Sequence, residues 1–534
     1  MLGTEPGTPE GWRFARQEHV HLEMYPMQGL SRLSRLPFEA LLRPFGKVHR
    51  SEVATIVLMT TYAFLMLTAY YVLKVVREPL ILAEGGAEVK RYAAAGQALL
   101  LFLGLRYYDR LAGKVSRLKL IAGINLFFAS NLVLFFVLGI AGFPVAIAFY
   151  LWVGIFNIAV IAQFWAFAND VYSPEAGGRL FAIIGIGSSL GAIFGAQVSG
   201  WLFEPLGPFL LMPLAAALLL VCVSLAWAVH RRETVADGRP IGIEGVPDSG
   251  NPPGAGLDSL RLVMRDRYLL LVALLTLLLN WVGTLGEYVL DLQILGAARD
   301  AVHTGQSPDV EAFIGAFRSD FFKWVGILAL VLQMFVVSRV MRHLGVGVAL
   351  FVLPIVALVG YGAMIVVPIL VVISVAKVAE SGIAYSLYNT ARHALYLVTG
   401  REAKYKAKTF TDTFVWRVGD LVAAGTVAAG TALALETRGF LWITLALVVV
   451  WLALTIAAAR IHRRRSLDWT PEGQPEVNRV ALGHGQSPRR SLIFDARQSH
   501  PGTLRGSVQG ARRPRAARPG GSGRRRYSSQ GTDR

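Results

Sequence analysis

Residues 53–73 read VATIVLMTTYAFLMLTAYYVL, a run without a single charged side chain. About 20 consecutive apolar residues are what an α-helix needs to cross a hydrocarbon core of about 30 Å. Apolar runs with at most one charged residue return at 118–140, 269–290 and 440–459. One such run would be an anchor; a series of them makes the bilayer the solvent for most of the chain. Composition agrees, with 54% hydrophobic and only 16% charged residues over 534 positions, against about 25% charged in soluble domains.

Working outward from that first run, hydropathy predicts twelve spans, near 53–81, 92–108, 118–140, 144–170, 179–203, 208–229, 268–290, 318–337, 346–366, 367–392, 409–433 and 440–459. The fold class expected is all-α, a polytopic membrane protein of two six-helix bundles. The boundaries expected are an N-terminal segment 1–52, a first bundle 53–229, a polar linker 230–267 rich in Gly, Pro and charge, a second bundle 268–460, and a tail 461–534. The tail carries 16 Arg against 5 Asp plus Glu, so it holds +11 of the net charge of +18. With few apolar residues it is expected to be disordered. Nothing before residue 53 has the pattern of a cleaved signal peptide, so insertion is expected to begin at an uncleaved first span, with Met24 or Met27 as possible starts.

Lys and Arg accumulate on the cytoplasmic side. With both termini inside, nineteen basic residues fall at inner loops and span ends, Arg110, Lys114, Arg339 and Arg342 among them. Seven fall outside: Arg77, Lys90, Arg91, Arg299, Arg318, Lys323 and Arg438. Asp109-Arg110-Leu111-Ala112-Gly113-Lys114 resembles the short inner loop signature of the major facilitator superfamily, with a counterpart at Ser338–Gly345 in the second half. Such echoes between halves are expected of transporters built from repeats about an axis along the membrane normal.

Charges within spans mark functional candidates, because a lone one costs about 2.5–3.5 kcal/mol at the bilayer centre on insertion scales. Lys74 and Arg77 close span one, followed by Glu78. Gln163, Asn169 and Asp170 close span four. Glu287 lies in span seven, with Asn280 and Trp281 two turns earlier. Arg392, Lys404, Lys406, Lys408, Arg417 and Asp420 precede or enter span eleven. If 404–408 is helical, Lys404 and Lys408 share a face that Lys406 leaves by about 160°. Gly187, Gly191 and Gly195 recur every fourth residue, a spacing that brings helices close in lipid; no phosphate-loop ending in Gly-Lys-Ser/Thr follows. The single cysteine, Cys222, excludes thiolate metal sites and an intramolecular disulfide. No zinc-helix, serine-elbow or kinase pattern is present, so neither an enzyme nor a resident cofactor or metal is expected.

Several of these stretches together resemble the ATP:ADP antiporter family, the nucleotide transporters of plastids and intracellular bacteria. They are Leu73-Lys74 with Glu84–Lys90, Phe164–Asp170, Glu287, and Tyr385–Tyr388 leading into Lys404–Lys408. The resemblance implies NTP/NDP exchange with nucleotide as the transported partner, no specific nucleic acid, and a multi-pass protein of the bacterial inner membrane with both termini cytoplasmic. It also implies exchange roles for Lys74, Asp170, Glu287 and either Lys406 or Lys408. Arg77-Glu78 and Arg392-His393 depart from the best-studied members. Proton-coupled transport of another organic anion, and a non-transporting scaffold with a basic tail, are the competing expectations.

Overall fold

The computed structural model describes residues 52–112, 117–237, 257–400 and 406–468. Every regular element among them is helical. The N-terminal segment, most of the linker, Lys404 and the tail beyond 468 lie outside the described residues, as do the Gly113 and Lys114 of the first loop signature.

The first element, α1, runs Val53–Ala112 and would be about 90 Å long if straight, three times a hydrocarbon core. It is broken at Gly86, whose φ of 74° and ψ of −178° suit a residue without a Cβ. The chain reverses there. Lys90 ion-pairs with Glu78, twelve residues earlier, a separation of about 18 Å in an unbroken helix. A second broken rod, α4, runs Pro174–Asp237 and turns at Gly207, φ 70°. Between them lie α2, Arg117–Ile140, and α3, Ala146–Val171, joined through Gly142 at φ 81°.

In the second half, a short helix α5, Leu257–Arg265, leads to α6, Arg267–His303, capped by the Asp266 carboxylate accepting from the Tyr268 amide. Helix α7, Val310–Val331, is capped by Asp309 and continues through a π-turn, Leu332–Val337, into Ser338–His343. Helix α8 is Gly345–Val366. Helix α9, Leu370–Ile383, continues through a π-turn at Ala384–Tyr388. A third π-turn, Thr411–Val415, precedes α10, Trp416–Ala432. The last helix, α11, is Thr437–Asp468.

Nine helical stretches among the described residues are long and apolar enough to cross a membrane. The rods α1 and α4 each supply two crossings, and α10 with its lead-in completes the twelve that hydropathy predicts. Val133 and Val137 on α2 and Val359 and Val366 on α8 are exposed. Apolar side chains so displayed have lipid, not water, as their natural neighbour. The chain is an integral multi-pass membrane protein.

The glycine stripe sets the approach of α4 to α1. A Cβ on Gly191 would lie 2.2 Å from the Phe64 carbonyl oxygen, and one on Gly195 2.5 Å from that of Thr68. Only hydrogen fits there, which is the packing that the fourfold spacing implies. The two halves touch along α4 and α7, where Ser319 Oγ donates to the Ala196 carbonyl at 2.6 Å, in room left by Gly200.

Two sequence expectations change. Span seven does not stop near residue 290 but runs on to His303, which carries Asp291 inside the helix. Lys90, Arg91 and Arg318, counted from sequence as charges of outer loops and span ends, are all buried. They are not solvated loop charges, because each finds a carboxylate within the protein.

Candidate functional site

The reversal at Gly86 and the extension of α6 bring six charges together. Asp291 accepts from Lys90 Nζ at 2.9 Å and from Arg91 Nη2 at 2.7 Å, and it also binds Arg318. Glu78 binds Lys90, takes Arg77 at 2.7 Å and lies 3.7 Å from Arg318. Arg77, Glu78, Lys90 and Arg91 belong to the first bundle; Asp291 and Arg318 belong to the second. A buried charge survives only when paired, so this network clamps the bundles together at the end of the molecule that carries Gly86.

One helical turn farther from that end, the packing opens. Glu287 precedes Asp291 by one turn on α6 and lies 3.8 Å from Arg91, with 39% of its side chain exposed. Lys74 precedes Glu78 by one turn on α1. Its Nζ sits 4.1 Å from the centre of the Phe322 ring and 5.2 Å from that of Tyr71, and those two rings meet edge to face. Arg77 stacks on Tyr150, 4.4 Å from the ring centre. Tyr385, on the π-turn of α9, is 56% exposed although it lies within electrostatic reach of Tyr71, Glu287, Tyr70 and Arg77. Exposed side chains amid residues of α1, α6 and α9 line an internal opening between the bundles.

Among the groups around it, Lys74, Arg77, Lys90, Arg91 and Arg318 face the carboxylates of Glu78, Glu287 and Asp291. Cations exceed anions, and among the described residues Lys74 makes no ion pair. The chemistry such a site offers is recognition of a polyanion by charge-assisted hydrogen bonds.

Two further clusters lie within the second bundle. Lys377 Nζ reaches Glu380 at 2.9 Å and the Gly283 carbonyl at 3.2 Å, while the Tyr361 hydroxyl donates to Glu380 at 3.0 Å. Asn280 donates to the Trp416 carbonyl and to Asp420, which Arg417 pairs at 3.0 Å. Arg392 is buried, paired with Asp412, with Trp416 beneath its guanidinium at 5.9 Å. Lys408 is half-buried at the start of the short helical turn Lys408–Phe410, and Lys406, also half-buried, is engaged by a neighbour.

Not every sequence candidate joins the opening. Asn169 and Asp170 are exposed near the end of α3, about 30 Å along that helix from Tyr150 and hence from Arg77; Asp170 is engaged there by a neighbour. Gln163 is buried within the first bundle, its amide 3.4 Å from the Leu120 carbonyl. The structure thus brings Lys74, Arg77 and Glu287 together and leaves Gln163, Asn169 and Asp170 elsewhere. Sequence reasoning missed Asp291 altogether, although its spacing of one turn from Glu287 was there to read. A groove of about 660 Å³ lined by Phe317, Phe321, Trp324, Leu328 and Val375 is apolar and open beside exposed Trp324 and Val375, so it faces lipid. Among the described residues no group of three His, Cys, Asp or Glu side chains could hold a metal ion.

Twelve crossings in two bundles that meet around a central opening define the fold of major-facilitator-type transporters. No family model matches the chain. It is 20% identical over 346 residues to ADP,ATP carrier protein 1 of Chlamydia pneumoniae, covering 58% of this chain and 64% of that one. To ADP,ATP carrier protein 1 of Chlamydia trachomatis serovar D it is 23% identical over 350 residues, covering 57% and 64%. The chain thus spans less than two thirds of the length of these relatives. Among solved structures, the POT family transporter PepTSo superposes with a TM-score of 0.57 at 12% identity, over 78% of this chain and 99% of that one.

Proposed function

We propose that the chain is a membrane transporter that exchanges nucleotides, ATP for ADP or another NTP for its NDP, by alternating access. The observation that carries this reading is Lys74, an ammonium held over two aromatic rings with no carboxylate partner among the described residues, beside an exposed Glu287. A polyphosphate would supply the missing counter-charge. Similarity to two ADP,ATP carriers supports nucleotide as the cargo. Both termini are placed on the cytoplasmic side by the distribution of basic residues, so the clamped end faces outward and the opening is reached from the cytoplasm. Breaking the clamp while the opposite end closes would complete the rocking cycle of two repeats about a midplane site.

A second reading, proton-coupled uptake of another organic anion, is favoured by the buried Lys377, Glu380 and Tyr361 group, since intramembrane carboxylates commonly relay protons. Counterflow in proteoliposomes separates the two. Exchange requires unlabelled nucleotide inside before labelled nucleotide enters, and it persists with an uncoupler. Uptake into empty vesicles that an uncoupler abolishes would sink the exchange reading. ATP, ADP, AMP and adenosine, compared as competitors, should rank in that order; adenosine equal to ATP, or displacement by a simple carboxylate alone, would end the nucleotide assignment.

A further inference from the structure

We propose that Tyr385 is the base-stacking residue of the central opening, so that the cargo lays a planar heteroaromatic ring on it while its phosphates reach Lys74 and Arg77. This rests on the nucleotide reading and adds a specific subsite to it.

Tyr385 sits in the π-turn Ala384–Tyr388. A π-turn inserts one residue into the helical register and so changes which side chains face inward; such turns concentrate at functional sites. The result is unusual for an aromatic so deep in a protein. Its side chain is 56% exposed while α1 and α6 bring Tyr70, Tyr71, Arg77 and Glu287 within electrostatic reach, so the exposure is toward the opening rather than toward lipid. The neighbouring aromatics are already engaged. Tyr70 packs on Tyr71, Tyr71 on Phe322, and Tyr150 carries Arg77. Tyr388, one turn beyond Tyr385, is buried against Trp451, whose indole donates to its hydroxyl at 3.2 Å. Tyr385 alone of these has neither a ring partner nor a hydrogen bond among the described residues. An uncovered π-face within reach of Arg77 matches a ligand that is aromatic at one end and anionic at the other, and a base stacks on such a face whatever its identity.

The test compares ATP with inorganic tripolyphosphate, which carries the phosphate charges without a base, as ligands of the purified full chain. The wild type should bind ATP more tightly. Tyr385→Leu should weaken ATP roughly 5- to 100-fold, the range of one base–aromatic stack, and leave tripolyphosphate unchanged. Tyr385→Phe should retain ATP binding within about twofold, since the ring face and not the hydroxyl makes the contact. Lys74→Gln should weaken both ligands. If Tyr385→Leu weakens both equally, the residue is structural or a gate, and the stacking proposal falls. It falls too if ATP is unaffected, or if the wild type binds tripolyphosphate as tightly as ATP; in each case the polyanion site stands. If the wild type binds neither ligand, the nucleotide reading itself has failed.

Discussion

Lys90, four residues past the hinge at Gly86, meets Asp291, four residues past Glu287, at 2.9 Å across the boundary between the two bundles. Arg91 and Arg318 share the same carboxylate. Removing one partner of a buried ion group strands the others in a medium that solvates them poorly, at about 3–5 kcal/mol. Asp291→Asn is therefore expected to lower the melting temperature of the purified protein sharply. Lys90→Gln in the same chain should restore part of the loss, since it removes one stranded cation. Strict additivity of the two substitutions would refute the coupling. Cys222 is buried, so a thiol introduced beside Gly86 should dominate labelling, and Asp291→Asn should make it react faster by loosening the clamped end.

Glu287 differs from Asp291 in being open to the interior. Its conversion to Gln removes charge without leaving a buried cation orphaned, because Arg91 keeps Asp291. Glu287→Gln should reduce transport by about 10- to 100-fold, the worth of one hydrogen bond to a charged group, with membrane abundance little changed. Equal losses of abundance and transport would assign Glu287 a structural role instead.

Gly191 tests the packing of α1 against α4. With the Phe64 carbonyl oxygen 2.2 Å from where a Cβ would stand, backbone rather than a movable side chain is the obstacle. Gly191→Ala should lower thermal stability by about 1–3 kcal/mol, as overpacking does, and Gly191→Val should prevent accumulation in the membrane. Gly185, whose surroundings are open, should accept Ala with little effect, and an equal effect at both positions would contradict the stripe.

The legible part of this molecule is the part governed by hydropathy. Apolar runs set twelve crossings, and glycines at every fourth position set one helix approach, because both depend on local composition. The illegible part is the pairing of charges distant in the chain. A hydropathy window loses its signal where charges gather, which is why Asp291 fell one residue outside the run 269–290, why Lys90 and Arg91 read as loop residues and why Arg318 read as a span end. Their neutralisation depends on the reversal at Gly86, and nothing in the window around Lys90 announces Asp291, 201 residues away. The family resemblance named Asp170 together with Lys74 and Glu287, and α3 carries that residue to the far end of the bundle.

At that far end, Asp266 links the start of α6 to the end of α11. Arg465 donates to both of its oxygens, at 2.7 and 3.0 Å, and the Tyr268 amide adds a bond at 2.9 Å. Burial pushes the Asp266 carboxyl up, but the Arg465 and Tyr268 hydrogen bonds outweigh it and hold the carboxyl below its ordinary value. A carboxyl whose pKa is depressed by folding stabilises the folded state fully above its unfolded pKa and loses that contribution as pH falls through its folded one. Asn in its place retains a cap for the Tyr268 amide and lacks only the charge. The pair is partly exposed, so its worth after solvent screening is about 0.5–1 kcal/mol. Asp266→Asn should therefore melt about 1–2 °C lower than the wild type at neutral pH. The gap should begin to narrow near pH ~3.9, where an unfolded Asp takes up its proton, and close below that. Parallel melting curves of the two proteins, pH by pH, measure the gap directly, since all other titrating groups are common to both. A gap unchanged in acid would mean that the charge paired with Arg465 is not what separates the two proteins.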